Sequence, residues 1–339
     1  MNPGLARRIL VRAPNWLGDA VLGLAAVRDV RRSDAQAHLS VLARPSVAPL
    51  YGALPEVDTV LESAGLRADA RALKEGGFDL GILLPNSFGS ALALRMGGVR
   101  QRWGWATDGR AALLTRAARV PRELRGRNQL YYYRAMLAAM GLDVSAPPDT
   151  SLSLPPAWTE RAAELLGASG EAWIALAPGA HFGGAKRWLP ERFAAVAARL
   201  AAGLDAGVAL LGTASERPLA ERIAALLDGR VADLCGRTTL AEMAGVLAQA
   251  RLLLSNDSGA MHVAAALGTP VVAVFGPTDW RETAPVGDRH RLVREPVHCS
   301  PCLLRECPID HRCMRRVTAE RVEQAARELL AGEGAAARA

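Results

Sequence analysis

Four stretches of this 339-residue chain hold residue types that could do chemistry. In the first, Asn256-Asp257-Ser258-Gly259 separates a short apolar run at 252–254 from a small-residue helical pattern at 261–267, which Gly268 and Pro270 close. The N–H groups that open such a helix have no partner within it, and the helix dipole favours an anion there, phosphate being the natural candidate. Asp and Ser are also ordinary N-cap residues, so a structural reading stands beside the binding one. Gly259 would let a phosphate approach the backbone or simply serve the turn. His262, one turn in, would reach a ligand or fill a gap in the core.

The second stretch is the glycine-rich segment Ala177-Pro178-Gly179-Ala180-His181-Phe182-Gly183-Gly184-Ala185-Lys186-Arg187-Trp188. It follows an apolar run at 173–176 and precedes a helical pattern in which Pro190 suits the first turn. The chain has only two lysines, Lys74 and Lys186, against 39 arginines, so each lysine calls for a reason. A compact ammonium in a glycine-rich loop before a helix again points to phosphate. Further on, Glu216 closes Gly212-Thr213-Ala214-Ser215-Glu216 after a run at 208–211. It could accept from ribose hydroxyls or complement the dipole of the helix it opens.

The third stretch, Arg12-Ala13-Pro14-Asn15-Trp16-Leu17-Gly18-Asp19, joins a first apolar run at 9–11 to a helical pattern at 20–31. It lacks the glycine spacing of a dinucleotide fingerprint. Asp19 by default complements the helix dipole, yet a lone carboxylate at a strand's carboxyl end is also where open α/β sheets place chemistry. The fourth is Cys299, Cys302, Cys307 and Cys313, spaced C-x2-C-x4-C-x5-C. In a protein expected to be cytoplasmic, such a cluster suggests a structural metal such as zinc before disulfides. The spacing matches no common zinc module, nearby His298 and His311 leave the ligand set open, and free thiols are the alternative.

The elements that must hold these residues alternate. Apolar runs at 38–43 and 80–84 follow the first one, with helical patterns at 47–54 and 66–74 between them. The connection from 252–254 to the β-branched run at 271–275 is a largely helical crossover, which suits parallel strands. The chain therefore reads as α/β with parallel sheets. A proline-rich passage at 146–156 marks a boundary near 150, and a final amphipathic helix is expected over 318–330.

The net charge of +7 lies entirely in residues 1–150, which hold 20 basic and 13 acidic residues. That asymmetry suits a large anionic partner or, equally, a solvated arginine-rich face. Residues 95–127 interleave arginines with Trp103 and Trp105, a composition that could bind nucleic acid, but no recognised module accompanies it and nucleic acid is not expected. No apolar run approaches the length of a membrane span and the first residues do not form a signal peptide, so a cytoplasmic protein is expected.

With these residues laid out, the sequence resembles the bacterial lipopolysaccharide heptosyltransferases of glycosyltransferase family 9, most closely the heptosyltransferase II type. The resemblance rests on RAPNWLGDAVL at 12–22, LAPGAHFGGAKRWLPERF at 176–193 and SNDSGAMHVAAALGTPVVAVFGPT at 255–278. It implies a GT-B fold of two Rossmann-like, doubly wound domains facing each other across a cleft. Residues 1–150 would take the acceptor and 151–317, with the cysteine cluster at 299–313, the nucleotide sugar. The helix at 318–339 would pack back on the N-terminal domain. The implied activity is inverting transfer of heptose from ADP-heptose to the lipopolysaccharide inner core at the cytosolic face of the inner membrane, the protein being peripheral there. Asp19 matches the family's general base, Lys186 its diphosphate lysine and Glu216 an acidic nucleotide contact. Asp257, Ser258 and Gly259 match its donor-phosphate loop, and His262 falls inside that motif. No cofactor is implied for the chemistry, since one base and a stabilised leaving group suffice. A sugar-nucleotide 2-epimerase of similar layout and a non-catalytic ADP-heptose-binding protein are the alternatives; the first would change a sugar without transferring it, and the second would not turn over.

Overall fold

The computed structural model describes residues 7–167 and 171–336, of which 332–336 are described by their backbone alone. The chain divides into two compact units, up to Leu152 and from Ser153 onward.

The first unit is built on a wholly parallel sheet of β1 (Arg8–Arg12), β2 (His38–Ala43), β3 (Thr59–Glu62), β4 (Leu80–Leu83), β5 (Gln101–Trp105) and β6 (Arg116–Ala118). The order is β3-β2-β1-β4-β5-β6, so the winding reverses between β1 and β4. The central strands are apolar along their length because helices cover both faces, which fits the burial of Leu10, Val11, Leu42, Ile82 and Leu83. The single helix expected after β1 is two, Leu17–Leu22 and Leu24–Ser33, meeting at Gly23, whose N–H still donates to the Asp19 carbonyl at 2.8 Å. The arginine-rich stretch becomes the short outer strands β5 and β6. Trp103 and Trp105 are buried in β5, and Arg116 lies over the Trp103 ring at 5.3 Å. These indoles are core, which removes the stacking platform that a nucleic-acid reading needs.

The second unit repeats the plan with β7 (Ala172–Ala177), β8 (Ala206–Leu210), β9 (Val231–Asp233), β10 (Ala250–Asn256), β11 (Val271–Phe275) and β12 (His290–Arg294), all parallel, in the order β12-β11-β10-β7-β8-β9. Here the winding reverses between β7 and β10. One side of this sheet packs Ile174, Leu176, Leu252 and Leu254 against Trp188 and Phe193, whose rings meet edge to face at 5.0 Å. Helix Pro190–Leu204 carries Phe193 and opens on proline as its sequence suggests.

In the C-terminal helix Ala319–Ala336, a stripe of Val322, Ala326 and Leu329 completes the core of the second unit, against helix Pro190–Leu204 and strands β10 to β12. An ion pair from Arg199 to Glu323 at 2.9 Å and one from Arg321 to Glu295 edge that contact. The stripe has helical spacing, at i, i+4 and i+7.

Candidate functional site

At the carboxyl edge of the second sheet, the loops that follow β7 and β10 meet where the winding reverses, the place where open α/β sheets bind ligands. Asn256, the last residue of β10, ties them together. Its side-chain oxygen accepts from the Trp188 N–H at 2.9 Å, and its amide donates to the Pro178 carbonyl at 2.6 Å and the Gly179 carbonyl at 3.3 Å. A fully buried amide must have its groups met, and here meeting them fixes both ends of the glycine-rich loop.

Within that frame Lys186 Nζ lies 2.7 Å from Asp257 Oδ2 and 5.0 Å from the centre of the Phe182 ring. Asp257 is buried, and the same oxygen accepts from Thr278 Oγ1 at 2.6 Å and, more weakly, from Thr283 Oγ1 at 3.4 Å. Asp257 is therefore an anchor: its two threonines come from the far side of β11, and it fixes the ammonium from one direction. An ammonium has three N–H donors, so the pair leaves donors to face a ligand.

Ser258 is the N-cap of helix Gly259–Ala266, but its side chain caps nothing. Its Oγ is buried with no hydrogen-bond partner, as is Nδ1 of His262 one turn later. Burial drives the His262 imidazole down to about 4, outweighing the nearby Asp257 charge, so the ring is neutral.

Glu216 stands one strand over, closing the short 3-10 turn Ala214–Glu216 in the loop after β8. Its Oε2 accepts from Thr213 N–H at 2.8 Å and Thr213 Oγ1 at 3.0 Å in a capping box. A Cβ on Gly179 would fall 1.9 Å from the Glu216 carboxylate, so the two loops lie close together here. The carboxylate thus has a capping role and a place beside the glycine-rich loop at once.

The four cysteines lie in the segment that follows β12, and Cys299, Cys302 and Cys307 all act on the Cys313 thiol. Cys302 is exposed, Cys299 and Cys307 are half-buried and Cys313 is buried, all with free thiols. Among the described residues no three His, Cys, Asp or Glu side chains converge so as to hold one ion. Burial first, then the neighbouring Cys299 and Cys307, pushes the Cys313 thiol up to about 11.

In the first unit Asp19 lies in the first turn of helix Leu17–Leu22, at the reversal between β1 and β4. Burial holds the hydroxyls of Tyr51 and Tyr133 well above their ordinary range, and the Asp19 charge adds to it in both. Tyr51 Oη donates to the Ala20 carbonyl at 3.1 Å, locking the turn that carries Asp19. Arg12, at the end of β1, donates to the Ala13 and Leu42 carbonyls and to Asn15 Oδ1 at 2.9 Å, which rigidifies the loop. In the loop after β4, Ser87 caps helix Phe88–Met96 and Asn86 donates to Tyr132 Oη at 2.8 Å, so both of these polar residues have structural partners.

Sequence reading gave no individual role to Asn256, Thr278, Tyr51 or Arg12. Asn256, Thr278 and Arg12 lie inside motifs that drew notice, and the roles of the first two show only once β10 and β11 are side by side. Nothing local marks Tyr51.

Residues 66–312 match the family described as glycosyltransferase family 9 (heptosyltransferase). The chain is 30% identical to lipooligosaccharide heptosyltransferase 2 of Haemophilus influenzae over 84% of its own length and 88% of that protein. It is 30% identical to lipopolysaccharide heptosyltransferase 2 of Escherichia coli K12, over 85% and 88%. Among solved structures, that of E. coli ADP-heptose LPS heptosyltransferase II superposes with a TM-score of 0.84 at 28% identity, covering 96% of this chain and 99% of that one.

Proposed function

The chain belongs to glycosyltransferase family 9, and from that membership we propose that it transfers heptose from ADP-heptose to the inner core of lipopolysaccharide, with inversion at the anomeric carbon. The reading is supported most directly by the Lys186 ammonium, fixed by Asp257 beside the start of helix Gly259–Ala266, an arrangement suited to a diphosphate. The relatives named for heptosyl transfer from ADP-heptose carry that reading to this chain.

In the proposed reaction Asp19 takes the proton of the acceptor hydroxyl as that oxygen attacks the anomeric carbon from the face opposite ADP. One carboxylate is enough, because inversion in one step forms no covalent intermediate. The departing ADP gains negative charge, which Lys186 and the opening amides of helix Gly259–Ala266 stabilise. Glu216 would receive the ribose hydroxyls. The basic residues of the first half, with exposed Trp16 and Phe88 following β1 and β4, suit a phosphorylated glycolipid at the inner membrane surface. Peripheral attachment is part of this proposal; among the described residues no helix is long and apolar enough to cross a membrane.

The test is to incubate purified protein with ADP-heptose and with core acceptors that do or do not already carry a heptose, then weigh the products. One added heptose on the heptosylated core is expected. Extension of the bare core alone would shift the acceptor assignment, and extension of neither would remove it.

A further inference from the structure

The segment bearing the cysteines has no part in the chemistry above, yet it holds the residue before Lys186 and the residue before Thr278, the hydroxyl partner of Asp257. At its start, Ser300 Oγ donates to the Gly276 carbonyl at 2.5 Å, and the N–H groups of Cys302 and Leu303 both donate to the Pro277 carbonyl at 3.0 and 2.8 Å. Pro277 precedes Thr278, whose hydroxyl holds Asp257. Further along, the Arg305 carbonyl accepts the Ala185 N–H at 2.9 Å, Glu306 Oε1 accepts the Gly184 N–H at 2.8 Å, and His311 Nε2 donates to the Ala185 carbonyl at 2.7 Å. Ala185 precedes Lys186.

The fit of these contacts is close. A Cβ on Gly183 would fall 2.3 Å from the Arg305 carbonyl oxygen, and one on Gly184 would fall 2.5 Å from the Glu306 carboxylate. The backbone approach of this segment therefore requires glycine at 183, while at Gly184 it is the Glu306 side chain that lies close. His311 is itself held in a left-handed conformation, with its N–H donating to Cys307 Sγ at 3.2 Å. A carbonyl can only accept, so His311 carries its proton on Nε2.

We propose that residues 299–313 form a clamp that sets the position of the Lys186 ammonium, with Glu306 and His311 as positioning residues for the donor diphosphate. The inference rests on the reading of the glycine-rich loop as the diphosphate subsite. It explains how a polar, glycine-rich turn can hold a cation in the fixed position that charge stabilisation in transfer requires. Each contact alone is an ordinary hydrogen bond, so removing both should weaken donor binding by a single order of magnitude.

The experiment measures ADP affinity by calorimetry, KM for ADP-heptose, kcat and melting temperature for Glu306→Ala, His311→Ala and the double variant, with Glu306→Gln and His311→Gln as rescues. The double variant should raise the ADP dissociation constant about fivefold to tenfold and lower kcat, leaving KM for the acceptor unchanged. Glutamine at either position keeps an oxygen acceptor or an N–H donor and should restore affinity to within about twofold. In a Lys186→Ala background the same changes should add little, because they act through the lysine. Unchanged ADP affinity in the double variant overturns the clamp. Should Lys186→Ala itself bind ADP like wild type, the diphosphate reading fails first and takes the clamp with it. Glu306 is exposed, so Glu306→Ala leaves the core intact and decides the matter alone if His311→Ala lowers the melting temperature.

Discussion

Lys186 Nζ and Asp257 Oδ2 lie 2.7 Å apart, although their residues are carried by loops following different strands, β7 and β10. The pair joins the two loops across the point where the sheet reverses its winding, and both side chains are largely buried. Breaking a buried pair from one side leaves the other charge unmet, so the geometry of the surviving group changes as well as its count of contacts. A guanidinium is a planar fork wider than an ammonium and cannot take the same seat between one carboxylate oxygen and a phosphate. Lys186→Arg should therefore weaken ADP binding and lower turnover by roughly tenfold or more, and Lys186→Ala should do worse. Lys74, exposed near the end of helix Leu66–Gly76, is the control, and Lys74→Arg should be silent. Calorimetric titration with ADP and initial rates compare the three; wild-type behaviour of Lys186→Arg would show that the lysine is not selected for its shape.

Asp19 is predicted to act in turnover and not in donor binding. Asp19→Asn should lose about 10²-fold or more in kcat while ADP affinity stays within about twofold of wild type. Its alternative role is to complement the dipole of helix Leu17–Leu22, and a carboxylate in that position contributes up to about 1 kcal/mol. A fall in melting temperature with turnover per folded molecule preserved would assign it that role instead.

Much of this was legible in the chain. The central strands are continuous apolar runs, so β1, β2, β4, β7, β8, β10 and β11 stand where periodicity puts them, and the three motifs sit on the loops after β1, β7 and β10. The outer strands were not legible. β3 and β6 contain residues such as Thr59, Glu62 and Arg116, and β12 contains His290, Arg291 and Arg294; a strand at or near a sheet edge needs no apolar run. Trp103 and Trp105 looked like a binding surface because composition counts a tryptophan without saying which face it takes. The clamp on Lys186 was hidden for another reason: Glu306 and Gly184 are 122 residues apart, and only the fold makes them neighbours.

Thiol reactivity should follow burial. Thiolate is the reacting form, and Cys235, pushed up to about 12 chiefly by burial, and Cys313, up to about 11, hold almost none at neutral pH. A thiol reagent added to native protein, followed by mass mapping, should label exposed Cys302 first and leave Cys235 and Cys313 untouched until unfolding. Protection of Cys299, Cys302, Cys307 and Cys313 together, relieved by a chelator, would instead reveal a metal held by thiolates, and elemental analysis of the same sample would identify it.

The last prediction concerns His262, whose ring is buried beside the Lys186–Asp257 pair. Its imidazole is held down to about 4 from an ordinary 6.5, burial being the largest cause; Lys186 and His290 add to it, and Asp257 opposes them. The folded value lies below the unfolded one. The neutral ring is therefore favoured by folding, and its contribution is complete above about pH 6.5, where neither state binds the proton. As pH falls below 6.5 the unfolded chain takes up a proton that the folded protein refuses. Stability is then lost steadily until about pH 4, where both states are protonated and the loss stops. The whole of it amounts to about 3 kcal/mol. His262→Gln has no such group, so the wild-type protein should lose its advantage over the variant across that window and not above it. His290, also held low chiefly by burial, is present in both proteins. Urea unfolding of the two at pH 7, 6, 5 and 4 gives the comparison, and a difference that stays constant from pH 7 to pH 4 would mean that the imidazole is not kept neutral in the fold.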